Sequence, residues 1–340
     1  MLRPQSRKPD FRQLGAVLEK RIPERPVLFE LFTNNKLISD ISGMTWKNGD
    51  TLARDIAYIK ANDFSGYDYA VVLGSDFDFP KAKRHSENTV SLNEGAMITD
   101  RKSFDAYKWP DPDAYDYSRL DKLTDYLPNG MELMVWSPDG LLELVIRLTG
   151  YENLCLMLYD DPQLVYDIFE QAGRRFLRYF EKCLEYKRVV AVISSDDWGF
   201  NTQTLISISH MRELLFPWQC RLVEIAHKSG RYAILHSCGK FENILDDMIK
   251  IGFDAKHSYE DNIWPVEQAY EKMYERIGVL GGIDMDFMVR RSEDEIYSRA
   301  KEMLDRTAKR GGYALGTGNS VPEYVPNNNY FSMLKAAFNY

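Results

Sequence analysis

The chain has 340 residues, 44% of them hydrophobic and 28% charged, a balance that describes a globular protein with a sizeable core and excludes a disordered or fibrous one. Its net charge of −8 offers no general attraction to a phosphate backbone or an anionic surface, so neither nucleic acid nor a membrane is an expected partner. The opening MLRPQSRKPD lacks an apolar stretch, no run of about eighteen apolar residues follows, and the cysteines Cys155, Cys183, Cys220 and Cys238 are too few to staple a chain of this size. A cytoplasmic location and free thiols are expected, with Cys155, Cys183 and Cys220 packed in helices.

Short β-branched or aromatic runs recur at 27–32, 67–74, 133–137, 189–197, 231–238, 253–260, 277–284 and 312–319, and longer stretches of helical periodicity separate them. Eight such units, with no GxGxxG turn after the first, predict an α/β fold of one domain over 1–340, a (β/α)8 TIM barrel, rather than an open dinucleotide-binding sheet. The interval 75–129, rich in Asp, Tyr and Pro and poor in helix signal, reads as an insertion after strand 2 that packs on the barrel near its mouth. Residues 211–228 read as a helix stopped by Gly230. Ser292 with Glu295 reads as a capping box that opens a helix ending at Gly311 and Gly312.

Barrel active sites form where the loops after the strands converge. The expected strand ends carry Glu30, Ser75 and Asp76, Ser137 and Asp139, Asp196 and Asp197, His236 and Cys238, Glu260 and Asp261, Asp284 and Asp286, and Thr317 with Asn319. Within Leu235-His236-Ser237-Cys238-Gly239, residues two apart on a strand share a face, so an imidazole nitrogen and a thiolate can meet one ion. A catalytic zinc site requires about three protein ligands. Glu260, Asp196, Asp197 and Asn319 are the candidates for the third, Glu260 preferred because its strand is the neighbour, while His257 lies earlier on that strand. His85, His210 and His227 fall in the insertion or on helices. Asp196 and Asp197 alternate in direction, so one faces the axis as an acid or base and the other caps the following turn. Trp198 and Tyr259, with Trp264 nearby, are expected to wall a site for a small planar substrate, and Glu30 and Asn319 to touch it.

The segments Ser195-Asp196-Asp197-Trp198-Gly199, Leu235-His236-Ser237-Cys238-Gly239, Gly281-Gly282-Ile283-Asp284 and Gly318-Asn319-Ser320-Val321-Pro322, in that order, resemble the uroporphyrinogen decarboxylase superfamily, and more closely its corrinoid-linked methyltransferase branch of the O-demethylase type. The resemblance covers the second half of the chain strongly and the first half loosely. It implies a (β/α)8 barrel that moves a methyl group from a small methylated donor, an aryl methyl ether favoured, to the cobalt of a separate corrinoid protein. Zinc on His236 and Cys238 would activate the donor, or Asp196, Asp197 or Glu260 would protonate it. The branch also has a later cysteine, where this chain reads Gly316-Thr317-Gly318-Asn319-Ser320. The decarboxylase itself is the alternative, but the arginines that would clamp a polycarboxylate are missing from Pro26-Val27-Leu28-Phe29-Glu30-Leu31-Phe32. A non-catalytic binding barrel is the other alternative.

Overall fold

The computed structural model describes residues 3–81 and 92–340. Seven of the eight expected runs are strands of a single parallel sheet in sequential order: β1 (Tyr69–Leu73), β2 (Glu132–Trp136), β3 (Val189–Ser195), β4 (Tyr232–His236), β5 (Ala255–His257), β6 (Gly278–Leu280) and β7 (Tyr313–Ala314). Parallel neighbours require crossovers, and helices supply them. The longest, Pro162–Leu184, buries Leu164, Ile168, Phe169, Ala172, Phe176, Phe180 and Cys183 along one stripe, the spacing that lets a helix cover a sheet face.

The remaining run, 27–32, differs from the expectation. It forms no strand of its own and touches the extension of β7 through a parallel bridge between Leu28 and Leu315, with Phe29 N–H donating to the Leu315 carbonyl at 2.8 Å and Leu315 N–H to that of Val27 at 2.8 Å. On its other side a side chain replaces the ladder. The Tyr69 hydroxyl donates to the Glu30 carbonyl and accepts the Glu30 N–H, both at 2.7 Å. A phenol that satisfies both backbone groups of one residue leaves no partner for regular pairing there.

The described residues of the connection from β1 to β2 contain three short helices, Arg101–Ala106, Pro112–Ala114 and Arg119–Thr124, where the sequence suggested little helix. Phe77 stacks on Tyr179 of the long helix, with ring centroids 5.7 Å apart, so this part of the connection packs in the helix layer. His85 lies outside the described residues. The capping box at Ser292 opens the helix Glu293–Thr307 as expected. The expected helix over 211–228 has a wide turn at Met211–Leu215 before Phe216–Lys228, where Pro217 has no N–H to give to the ladder. All four cysteines are free; Cys183 is buried, but Cys220 is exposed rather than packed. No helix among the described residues is long and apolar enough to cross a membrane.

Candidate metal centre

The strands end one to five residues sooner than their runs, so most of the chemistry-bearing side chains stand on the turns just beyond the sheet. Two residues past β3, Asp197 accepts the backbone N–H of Cys238 on Oδ1 at 2.8 Å, which ties the β3 and β4 turns together. His236 closes β4, and its Nε2 lies 3.9 Å from Cys238 Sγ. The turn is made possible by Gly239, at φ 86°, because a Cβ there would lie 2.0 Å from the Gly199 carbonyl oxygen. One ligand atom each from Asp197, His236 and Cys238 falls within 4.8 Å of the other two, the one such group among the described residues.

The third member is therefore Asp197, where the sequence favoured Glu260. Glu260 is half-buried and lines a neighbouring cavity, outside the cluster. Its carboxyl is raised by burial and then by the charge of Asp284. Asp196 points the other way and is fully buried. Its carboxylate accepts the N–H groups of Leu142 at 3.0 Å and Glu143 at 3.1 Å, capping the helix Leu141–Thr149 after β2 rather than the following turn. Burial pushes Asp196 up to about 7. Asp196 is thus a buried cap of that helix and stands outside the cluster.

Around the cluster, buried groups set its protonation. Burial lowers His236 to about 4, so the ring is neutral at neutral pH and one of its two nitrogens keeps a lone pair. Burial, with Asp197 nearby, raises the Cys238 thiol to about 12, so the thiol stays protonated at neutral pH and releases its proton to solvent when a cation takes the proton's place. Asn319 Nδ2 donates to Cys238 Sγ at 3.2 Å, and Ser258 Oγ lies 3.3 Å from the same sulfur. Asn319 thus stands at the thiol, in the region where the resemblance implied a later cysteine. His257, set aside in the sequence, has Nδ1 2.8 Å from His236 Nδ1.

Two further residues escaped the sequence reading. Glu143, in the first turn of the helix after β2, is pushed up to about 8 by burial and then by Asp196 and Asp197. It stays neutral near Asp197 at pH 7. An acid in the first turn after a strand end was the available signal. Lys256, fully buried, lies 3.8 Å from the Phe241 ring centroid and 4.5 Å from that of Tyr259 and donates to the Ser258 carbonyl; burial lowers it to about 7.

A cavity of about 1070 Å³ opens beside the cluster, with Asn319 shared between them; Phe32, Glu260, Asp284, Phe287, Arg291 and Tyr324 also line it. The expected aromatic wall is absent from its lining. Trp198 is buried against Phe216 at 5.5 Å, and Tyr259 and Trp264 pack around Phe241 at 5.9 and 5.1 Å. Glu30, expected at the substrate, is fully buried. Its carboxyl meets Thr317 N–H at 2.7 Å and Thr317 Oγ1 at 2.6 Å, and burial pushes it up to about 8.

The donor set can be tested against zinc. Tetrahedral zinc with Zn–S near 2.3 Å and Zn–N near 2.05 Å separates sulfur from nitrogen by about 3.6 Å, close to the 3.9 Å between Cys238 and His236. One thiol, one neutral imidazole and one carboxylate fit that ion and leave a fourth position for a substrate atom.

A family model described as Uroporphyrinogen decarboxylase (URO-D) matches residues 100–340. Among solved structures, a methyltransferase from Methanosarcina mazei is similar at 15% identity and a TM-score of 0.69, over 96% of this chain and 97% of that one. Dispersin B is similar at 14% identity and a TM-score of 0.42, over 92% of this chain and 98% of that one. No curated protein matches the sequence.

Proposed function

The chain belongs to the uroporphyrinogen decarboxylase (URO-D) family, and from that premise we propose that it is a corrinoid-dependent methyltransferase built on a (β/α)8 barrel. In this reading it moves a methyl group from a small methylated donor to the cobalt of a separate corrinoid protein. The observation that carries it is the meeting of Asp197, His236 and Cys238 beside a large cavity, a donor set suited to activating a leaving group. A decarboxylase that holds several carboxylates would want free arginines over its substrate. Here the two arginines of the cavity, Arg290 and Arg291, are paired with Asp286 and Glu295.

Asp197, His236 and Cys238 would hold zinc. When bound, zinc acts as a Lewis acid that makes the donor's oxygen, nitrogen or sulfur a better leaving group. The chain's own residues do the rest. His236 offers Nε2 as a neutral ligand. Cys238 gives up its proton when it binds, and Asn319 donates to the resulting thiolate. Glu260, on the cavity wall with a raised pKa, is placed to give a proton to the departing group. Neutral Glu143 adds no second negative charge near Asp197. The rings of Phe32, Phe287 and Tyr324, rather than Trp198 and Tyr259, would hold an aromatic donor. They support an aryl methyl ether, and methylamines and methyl thiols are the next classes to try.

Elemental analysis is expected to find about one zinc per chain. Protein mixed with a reduced corrinoid protein from the same source and an aryl methyl ether is expected to form methyl-cobalt, read by its visible spectrum. Cys238→Ala is expected to lose both zinc and turnover while keeping its circular dichroism. Carbon dioxide released from a porphyrinogen, with no methyl-cobalt from any donor class, overturns the reading.

A further inference from the structure

Two buried imidazoles meet head to head at the foot of the cluster, His236 Nδ1 and His257 Nδ1 being 2.8 Å apart. A single proton fits between two such nitrogens, so one ring donates and the other accepts. The far edge of His257 shows which. Its Nε2 is buried and finds no well-aligned partner among the described residues, but the Thr317 carbonyl oxygen borders the same space. A Cβ on Gly281 would lie 2.3 Å from that oxygen and 3.1 Å from His257 Nε2. An N–H at this edge faces an acceptor, whereas a bare nitrogen there would oppose lone pair to lone pair. His257 therefore carries its proton on Nε2 and accepts on Nδ1. His236 must then carry its proton on Nδ1, which leaves Nε2 bare on the side of Cys238 Sγ.

We propose that His257 is a positioning residue for the metal centre: it fixes His236 in the one neutral tautomer whose Nε2 can ligate an ion, and it holds that ring toward Asp197 and Cys238. Partners of this kind commonly contribute 10–100-fold in metal affinity. The inference rests on the metal-binding reading for its purpose, but the tautomers exist without the ion.

Nitrogen-15 spectra of the full-length, metal-free protein labelled at histidine test it directly. His236 protonated at Nδ1 and His257 at Nε2 is the expected result; His236 protonated at Nε2 overturns the proposal. Zinc affinity, measured by chelator competition, supplies the second arm. His257→Leu removes the acceptor and is expected to weaken zinc binding roughly 10–100-fold, whereas His257→Asn, whose amide oxygen falls near the place of Nδ1, is expected to stay within about threefold of wild type. Equal losses in the two variants, or none in His257→Leu, overturn it. A wild-type protein that takes up no zinc would sink the proposed function, and the tautomers would still decide the role of His257. If His257→Leu does not fold, the wild-type spectra and His257→Asn carry the test.

Discussion

At the scale of single residues, burial does most of the chemistry. Glu30 shows it clearly. Its two oxygens meet Thr317 N–H and Oγ1, and the same Oγ1 also lies 3.2 Å from the Asn319 carbonyl. One hydroxyl has a single proton, so a protonated Glu30 that donates to Oγ1, which in turn donates to Asn319, satisfies every atom. Its folded pKa of about 8 lies above its ordinary value. Its contribution is therefore full below about pH 4.5, the unfolded value, and is lost as pH rises through about 8. Urea unfolding midpoints of wild type are expected to fall across that window, and Glu30→Gln to flatten the fall. Equal slopes in the two proteins would show that Glu30 is not the group that titrates. Lys256 is the opposite case: burial lowers its ammonium to about 7, and the Phe241 and Tyr259 rings and the Ser258 carbonyl receive it.

At the scale of elements, the turns after the strands decide what the sequence conceals. The His-x-Cys pair was legible because residues two apart share a face on a strand, and the turn after β4 preserves that relation. The choice between Glu260 and Asp197 was not, since it depends on how far each turn carries its carboxylate past the sheet. Strand parity accounts for Trp198. With Asp197 turned inward, its neighbours Asp196 and Trp198 turn toward the helix layer. For Tyr259 parity itself fails, because Ser258 adopts φ 86°, a conformation that a non-glycine residue holds only under constraint. The alternation breaks there. Ser258 Oγ reaches the Cys238 sulfur, and Tyr259 packs against Phe241. The turn after β4 has its own test. Gly239→Ala places a Cβ against the Gly199 carbonyl and is expected to weaken zinc binding by at least about tenfold with a smaller effect on the melting temperature. A variant that melts much earlier yet binds zinc as before would place the strain elsewhere.

At the scale of the whole molecule, the alternation of runs and helices made seven strands legible in order, because each parallel crossover leaves its own periodicity in the chain. The run at 27–32 was legible as a sheet member but not as an exception, since a phenol in the ladder has no sequence signature. Tyr69→Phe is expected to cost about 1–3 kcal/mol by leaving the Glu30 N–H and carbonyl unsatisfied, read from denaturant unfolding; no change would mean that another group takes over. That seam also bears on the centre. Counting the run as one member of a ring of eight, the pair diametrically across from the seam is β4 and β5, the strands that end in His236 and His257. There the ladder is continuous peptide, with Ile234, Leu235 and His236 in register with Ala255, Lys256 and His257. A bracelet gives most at its clasp and least at the opposite link. Any opening at the Tyr69 clasp would therefore lie as far round the ring as it can from the two imidazoles.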